Sequence, residues 1–196
     1  MFANRYTALV DASTLAGALR RNLILSLAEA EFFRVRWSAE ILDETEKAIA
    51  KILQRKAVTD AEQRAKRSCA AMTAAFEEAE VSDFEPFYAA ADGLPDRGDA
   101  HVVAAALKAQ AAVIVTENLR DFPSKVLSPL NLEAKSGDAF IADAIALDPG
   151  RGVAAIRRMR DRFKHPQRSA EELLLEMEAQ GLHETVDALK SFTAHL

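Results

Sequence analysis

An apolar run that stops on a carboxylate constrains this chain more than any other feature. Arg5 to Thr14 reads "RYTALVDAST": Ala8-Leu9-Val10 is a short buried strand, Asp11 follows it directly, and the hydroxyls of Ser13 and Thr14 come next. The pattern recurs where Val113-Ile114-Val115 lead into Thr116, Glu117 and Asn118, with Asp121 three residues on. Short continuous apolar runs between helical stretches predict a mainly parallel sheet covered on both faces. In such sheets ligands bind beyond the carboxyl ends of the strands, so both runs deliver oxygen-bearing side chains to the edge where sites form. For Asp11 taken alone, capping of the following helix is the competing reading.

The intervening segments supply the helices. A helical stretch runs from about Ser13 to Glu31 with a break near Arg20, and Phe32 to Trp37 reads as a second strand. "WSAEILDETEKAIAKIL" opens on Ser38 as a cap and carries Ile41, Ala48, Ile49, Ile52 and Leu53 at helical spacing, which predicts a helix to about Arg55. Asp60 to Glu80 reads as another helix, Ser82 to Pro95 as a loop or broken helix. A further helix starts at Asp99, the second apolar strand spans Ala112 to Thr116, and a turn closes at Pro123. The expected class is α/β.

With 49% hydrophobic residues and only 7 Gly and 6 Pro, the chain is built for a packed core, not for disorder. No apolar run approaches a membrane span, the start lacks the pattern of a signal peptide, and the lone Cys69 cannot form an internal disulfide. The expected compartment is the reducing cytoplasm, with no membrane association. A net charge of −5 does not mark the whole chain as a nucleic-acid binder, so the distribution of charge has to decide.

Asp99 is the decisive acid. On a helix, Val102, Val103, Ala106 and Leu107 fall at i+3, i+4, i+7 and i+8, so the carboxylate lies on the apolar face. Helix-dipole stabilisation is worth up to roughly 1 kcal/mol, and capping is a sufficient reading of Asp99 taken alone; burying an unpaired carboxylate costs more, and a cation is the simplest compensation. His101, beside Ala105 and Lys108, reads as structural or surface and not as a ligand. In the helix after Ser38, Glu40, Asp43, Lys47 and Lys51 form a solvated face; Glu44 and Glu46 lie at opposite borders of the apolar stripe, and periodicity does not choose between them.

"ALVDAST", "WSAEILDETEKAI", "DRGDAHVVAAAL" and "VIVTENLRDFP" resemble, in order, the four acidic motifs of PIN-domain proteins over about residues 7 to 123. Within that family the wording is most similar to VapC-type toxins with a helical C-terminal extension. The resemblance implies an α/β/α sandwich with a mainly parallel central sheet, and divides the chain into a nuclease domain at 1–130 and an extension at 131–196. It implies Mg²⁺ or Mn²⁺ as cofactor, RNA as substrate and a cognate antitoxin as partner, with a homodimer as a further option. Carried over by position, Asp11, Glu44 and Asp99 are the first three acids, and Glu44 is thereby preferred to Glu46. Asn118 stands where many members have the fourth acid, and Asp121 in the same turn is the candidate to supply that charge. The catalytic set is thus Asp11, Glu44, Asp99, Asn118 and Asp121, and the metal ligands are Asp11, Glu44, Asp99 and Asp121. Gly98 departs from the closest group, which often has another Asp there; with Asn118, this sets one bound ion against two.

The chemistry requires hard oxygen donors, because Mg²⁺ lowers the pKa of an attacking water and stabilises the leaving oxygen of a phosphodiester. Ser13 and Thr116 are candidates to position water, and Arg120 to meet a phosphate. Their plainer readings are a cap, a strand-end hydroxyl and a surface charge. Haloacid-dehalogenase-like phosphatases need Asp-x-Asp after the first strand, but position 13 is Ser; no P-loop or dinucleotide fingerprint is present, and His183-Glu184-Thr185 is not a zinc motif.

After Pro123 the chain reads as helices at Asp138–Leu147, Val153–Lys164, Ala170–Ala179 and His183–Phe192. Arg151, Arg157, Arg158, Arg160, Arg162, Lys164 and Arg168 are opposed in that stretch only by Asp161. Arg157, Arg160 and Lys164 are the candidates for RNA contact, against a solvated helix face or a partner surface. Two other functions compete with a toxin ribonuclease: a PIN-like RNA- or protein-binding regulator that does not cleave, and a DNA or structure-specific nuclease.

Overall fold

The computed structural model describes residues 6–163 and 167–196. Its sheet has five parallel strands: β1 (Thr7–Val10), β2 (Arg34–Ser38), β3 (Glu80–Val81), β4 (Val113–Val115) and β5 (Glu133–Lys135), in the order β3-β2-β1-β4-β5. With its helices it forms an α/β/α sandwich. β1 and β4 are buried at every position, as expected of central parallel strands. The chain steps outward from β1 to β2 and β3, then crosses back to place β4 on the other flank of β1. The switch in direction therefore falls between β1 and β4, where open α/β sheets form their crevice.

Two compact units emerge. The first contains Met1–Gly17 and Phe33–Ser136, hence the whole sheet with α1 (Ala12–Leu15), α3 (Ala39–Arg55), α4 (Ala61–Ala75), α5 (Ala100–Lys108) and α6 (Ser124–Leu127). The second contains α2 (Ala18–Glu29) with α7 (Gly137–Leu147), α8 (Pro149–Asp161), α9 (Ala170–Ala179) and α10 (His183–Leu189). The expected break near Arg20 lies instead at Ala16–Gly17, between α1 and α2. The helix read from Asp60 to Glu80 stops at Ala75, because Glu80–Val81 pairs with Trp37–Ser38 as an edge strand. Within Ser82 to Pro95 the chain makes a 3₁₀ helix at Glu85–Ala91.

In the first unit Ser38 caps α3 as expected, accepting the Ile41 N–H at 3.2 Å. Ile49, Ala50, Ala65 and Cys69 join α3 to α4, and the Cys69 thiol faces the Leu42 carbonyl, so this cysteine is structural. In the second unit Gly152 allows α8 to approach α7: a Cβ there would meet the Ile145 Cα at 3.2 Å. Asp138 accepts the N–H groups of Glu184 and Thr185 at 2.9 and 2.8 Å, so His183-Glu184-Thr185 is a helix start held from α7. No helix among the described residues is long and apolar enough to cross a membrane.

The basic run of α8 is mostly engaged within its own unit. Arg151 donates to the Ala30 carbonyl at 2.6 Å and lies over the Phe32 ring, Arg162 pairs with Glu29 at 2.8 Å, and Arg168 pairs with Glu176. Arg160 donates to the main-chain oxygen of Leu196 and to Asp161, each at 2.8 Å. Arg157 and Arg158 are exposed and unpaired among the described residues, and Lys164 lies outside those residues.

Removing the Asp138 carboxylate leaves two N–H groups at the start of α10 without their acceptor. Asp138→Ala is expected to lower stability by about 0.5–2 kcal/mol in chemical denaturation; an unchanged midpoint would show that water replaces the cap without loss.

Candidate active site

The register of β1 against β4 builds the site. Val10 pairs with Val115, the Asp11 N–H donates to the Val115 carbonyl at 2.9 Å, and Asp11 and Thr116 therefore leave neighbouring strands side by side. Asp11 is only 6% exposed. Its Oδ1 accepts the Ala12 N–H at 2.7 Å; its Oδ2 accepts the hydroxyls of Ser13 at 2.6 Å and Thr116 at 2.7 Å. The capping role is thus real, and it uses one oxygen only.

Each hydroxyl has a single proton, and both protons point at Asp11. Ser13 Oγ in turn accepts the Glu117 N–H at 3.0 Å, and Thr116 Oγ1 accepts the Asn118 N–H at 3.0 Å. The 3.1 Å approach of the two hydroxyls to each other is therefore a close contact without a proton to share. Ser13 and Thr116 hold the Asp11 carboxylate and tie it to the loop after β4; neither keeps a proton for water or phosphate in this arrangement. Three of the roughly four lone-pair sites of Asp11 are occupied, which leaves Oδ1 able to accept once more.

Asp99 ends the 3₁₀ turn Arg97–Asp99 and stands at the cap position of α5, yet its side chain makes no capping hydrogen bond. Capping is done one turn earlier, where Asp96 accepts the Gly98 N–H at 2.7 Å. Burial, then the carboxylates of Asp11, Asp121 and Asp96, push the Asp99 carboxyl up from 3.8 to about 6, with His101 opposing them. Acids from three separate chain segments thus share one electrostatic neighbourhood. Asp121 is partly buried in the turn that its N–H closes on the Asn118 carbonyl at 2.9 Å; Asn118 and Arg120 are exposed.

Of the two readings open for His101, structural or surface, the structural one holds. It is 8% exposed, its Nδ1 lies 2.8 Å from the Gly98 carbonyl, and its Nε2 lies 3.6 Å from Oε2 of Glu44. Helical periodicity pointed it away from the apolar face of α5, but at this first turn the Gly98 carbonyl and Glu44 of α3 lie against it. Through this contact Glu44, on α3, reaches the start of α5 where Asp99 sits. Asp96 was missed, although "DRGD" places it three residues before Asp99. Gly98 belongs to the same tight turn: a Cβ there would stand 3.1 Å from Asp96 Oδ1.

The donor chemistry, hard carboxylate oxygens clustered about Asp99, suits Mg²⁺ or Mn²⁺. As the side chains stand, no three His, Cys, Asp or Glu groups among the described residues lie at the spacing that holds a metal ion. Mg²⁺ retains several waters, so two carboxylates and solvent suffice for such a cation.

A PIN-domain family model matches residues 7–120, and a model described as the VapC50 C-terminal domain matches residues 137–191. A Mycobacterium tuberculosis (strain ATCC 25618 / H37Rv) protein named "Putative ribonuclease VapC50" is 38% identical over 76 residues, 39% of this chain and 45% of that relative. The alignment therefore spans less than half of the relative's length. No solved structure matches the chain.

Because the folded state binds the Asp99 proton more tightly than the unfolded chain does, the contribution of Asp99 to metal-free stability is fully present below about 4 and is lost as pH rises through about 6. Asp99→Asn should flatten that fall and melt higher than wild type at pH 7 in chelator. Parallel pH profiles of melting temperature for the two proteins would refute the repulsion.

Proposed function

The chain belongs to the PIN-domain family, of the VapC type with a C-terminal extension, and from that membership we propose that it is a metal-dependent endoribonuclease, the toxin of a bacterial type II toxin–antitoxin pair. The observation that carries the reading is Asp99: making no capping hydrogen bond, and raised first by its burial and then by carboxylates, among them Asp11 and Asp121 from other segments. A module that binds without cleaving gains nothing from that repulsion. A divalent cation relieves it, and when bound supplies an activated water and charge stabilisation for the leaving oxygen.

Asp11, Glu44, Asp99 and Asp121 are the residues proposed to hold the cation. Asp11 offers the remaining acceptor position of a carboxylate already oriented by Ser13, Thr116 and Ala12. Asn118 contributes an amide in place of a fourth acid, and the exposed Arg120 can meet a phosphate oxygen. Protonated Asp99 cannot ligate, so cation binding and the loss of its proton are coupled. A partner that inhibits by placing a basic side chain among these acids fits the same charge pattern, which is the antitoxin role proposed here.

The direct test is cleavage of a defined RNA pool and a matched DNA pool by wild type and Asp99→Asn. RNA cleavage is expected with Mg²⁺ or Mn²⁺, to stop in chelator, and to fall by at least about 100-fold in the variant. Undiminished cleavage in excess chelator would rule out the metal mechanism, and DNA-only cleavage would leave the competing nuclease reading.

For the extension, RNA contact falls to Arg157, because Arg160 is engaged with Leu196 and Asp161; Lys164 completes the proposed set. Arg157→Glu should weaken RNA binding at low salt, with a smaller effect as salt rises. A variant that binds RNA normally but loses its antitoxin would make this face a partner surface.

A further inference from the structure

The imidazole of His101 has an incomplete set of contacts. Its Nε2 is shielded from solvent and has no hydrogen-bond partner. Its Nδ1, 2.8 Å from the Gly98 carbonyl, must carry a hydrogen, because a carbonyl oxygen can only accept. In the neutral ring Nε2 therefore bears a bare lone pair, and it faces Oε2 of Glu44 at 3.6 Å. That is too long for the charge-assisted hydrogen bond of an imidazolium, about 2.7–2.9 Å, and two bare acceptors repel.

A buried polar atom without a partner points to a water or an ion. A bridging water, with two bonds of about 2.8 Å at the water angle, sets its acceptors roughly 4.4 Å apart. A tetrahedral ion about 2.1 Å from each of two ligands sets them roughly 3.4 Å apart, much nearer the observed separation. The hydrogen bond from Nδ1 to a main-chain carbonyl is also the usual support of a metal-ligating histidine.

We propose that Nε2 of His101 and the carboxylate of Glu44 form a subsite for a divalent transition ion of the Mn²⁺-to-Zn²⁺ series, with solvent completing the coordination. The imidazole favours the later ions of that series, whereas Mg²⁺ prefers oxygen throughout. The subsite deepens the nuclease reading, on which its purpose rests, by giving this chain a metal preference that carboxylates alone do not confer.

The test is calorimetric titration of the full chain with Zn²⁺ and with Mg²⁺, together with pulsed electron paramagnetic resonance of bound Mn²⁺. Wild type should bind Zn²⁺ more tightly than Mg²⁺ and show nitrogen coupling from an imidazole. His101→Asn, whose amide can still donate to Gly98, should lose that coupling and at least about tenfold in Zn²⁺ affinity, with Mg²⁺ affinity changed by far less. Glu44→Gln should weaken Zn²⁺ as well, and His183→Asn should keep the coupling. Absence of nitrogen coupling in wild type, or equal Zn²⁺ affinity in wild type and His101→Asn, would overturn the subsite. Nitrogen coupling in a protein that cleaves no RNA would overturn the nuclease reading and leave the subsite standing; cleavage in Mg²⁺ without coupling would do the reverse.

Discussion

The Oδ2 of Asp11 accepts two hydroxyl protons, and the site depends on that arrangement. One comes from Ser13, on the helix that follows β1, and the other from Thr116, at the end of β4. Each donor is held in turn by an N–H of the loop after β4. A carboxylate fixed in this way cannot rotate out of the crevice, and its negative charge stays beside Asp99. Burial raises the Asp99 carboxyl most, the Asp11 charge adds to it, and a divalent cation is the counterweight that the rest of the acid set suggests. Sheet register makes it possible: a one-residue slip of β1 against β4 would turn Asp11 to the opposite face and separate it from Thr116.

Much of this was legible in the sequence, for reasons that differ element by element. Buried parallel strands announce themselves as unbroken apolar runs, so Ala8–Val10 and Val113–Val115 could be read directly, with Asp11 at the ligand edge. The Ser38 cap and the stripe from Ile41 to Leu53 fixed α3. The edge strands could not be read: Glu80–Val81 has two residues, Glu133–Lys135 carries charges at both ends, and neither has a period to detect. The grouping of α2 with the C-terminal helices is a tertiary choice that no local pattern encodes.

The sequence left His101 open between a structural and a surface role, for a specific reason. A helical wheel assumes that one face is core and the opposite face is solvent, but at a helix start the incoming chain covers residues that the wheel leaves exposed. Here the Gly98 carbonyl of the incoming turn fixes the ring, and Glu44 of α3 faces it from the other nitrogen. The basic run of α8 shows the same limit for charge. Sequence counts one acid among seven cations in Arg151 to Arg168, whereas Glu29, far back in the chain, Glu176, just beyond the run, and the Leu196 main-chain oxygen engage three of them.

The proposed chemistry requires an Asp99 carboxyl that burial and its acidic neighbours hold high and that a cation releases. Carbon-detected magnetic resonance of its carboxyl, titrated with and without Mg²⁺, measures this directly. The midpoint should lie near 6 in metal-free protein and fall below the ordinary 3.8 when Mg²⁺ is bound. A midpoint near 3.8 in chelator that does not move with Mg²⁺ would contradict it.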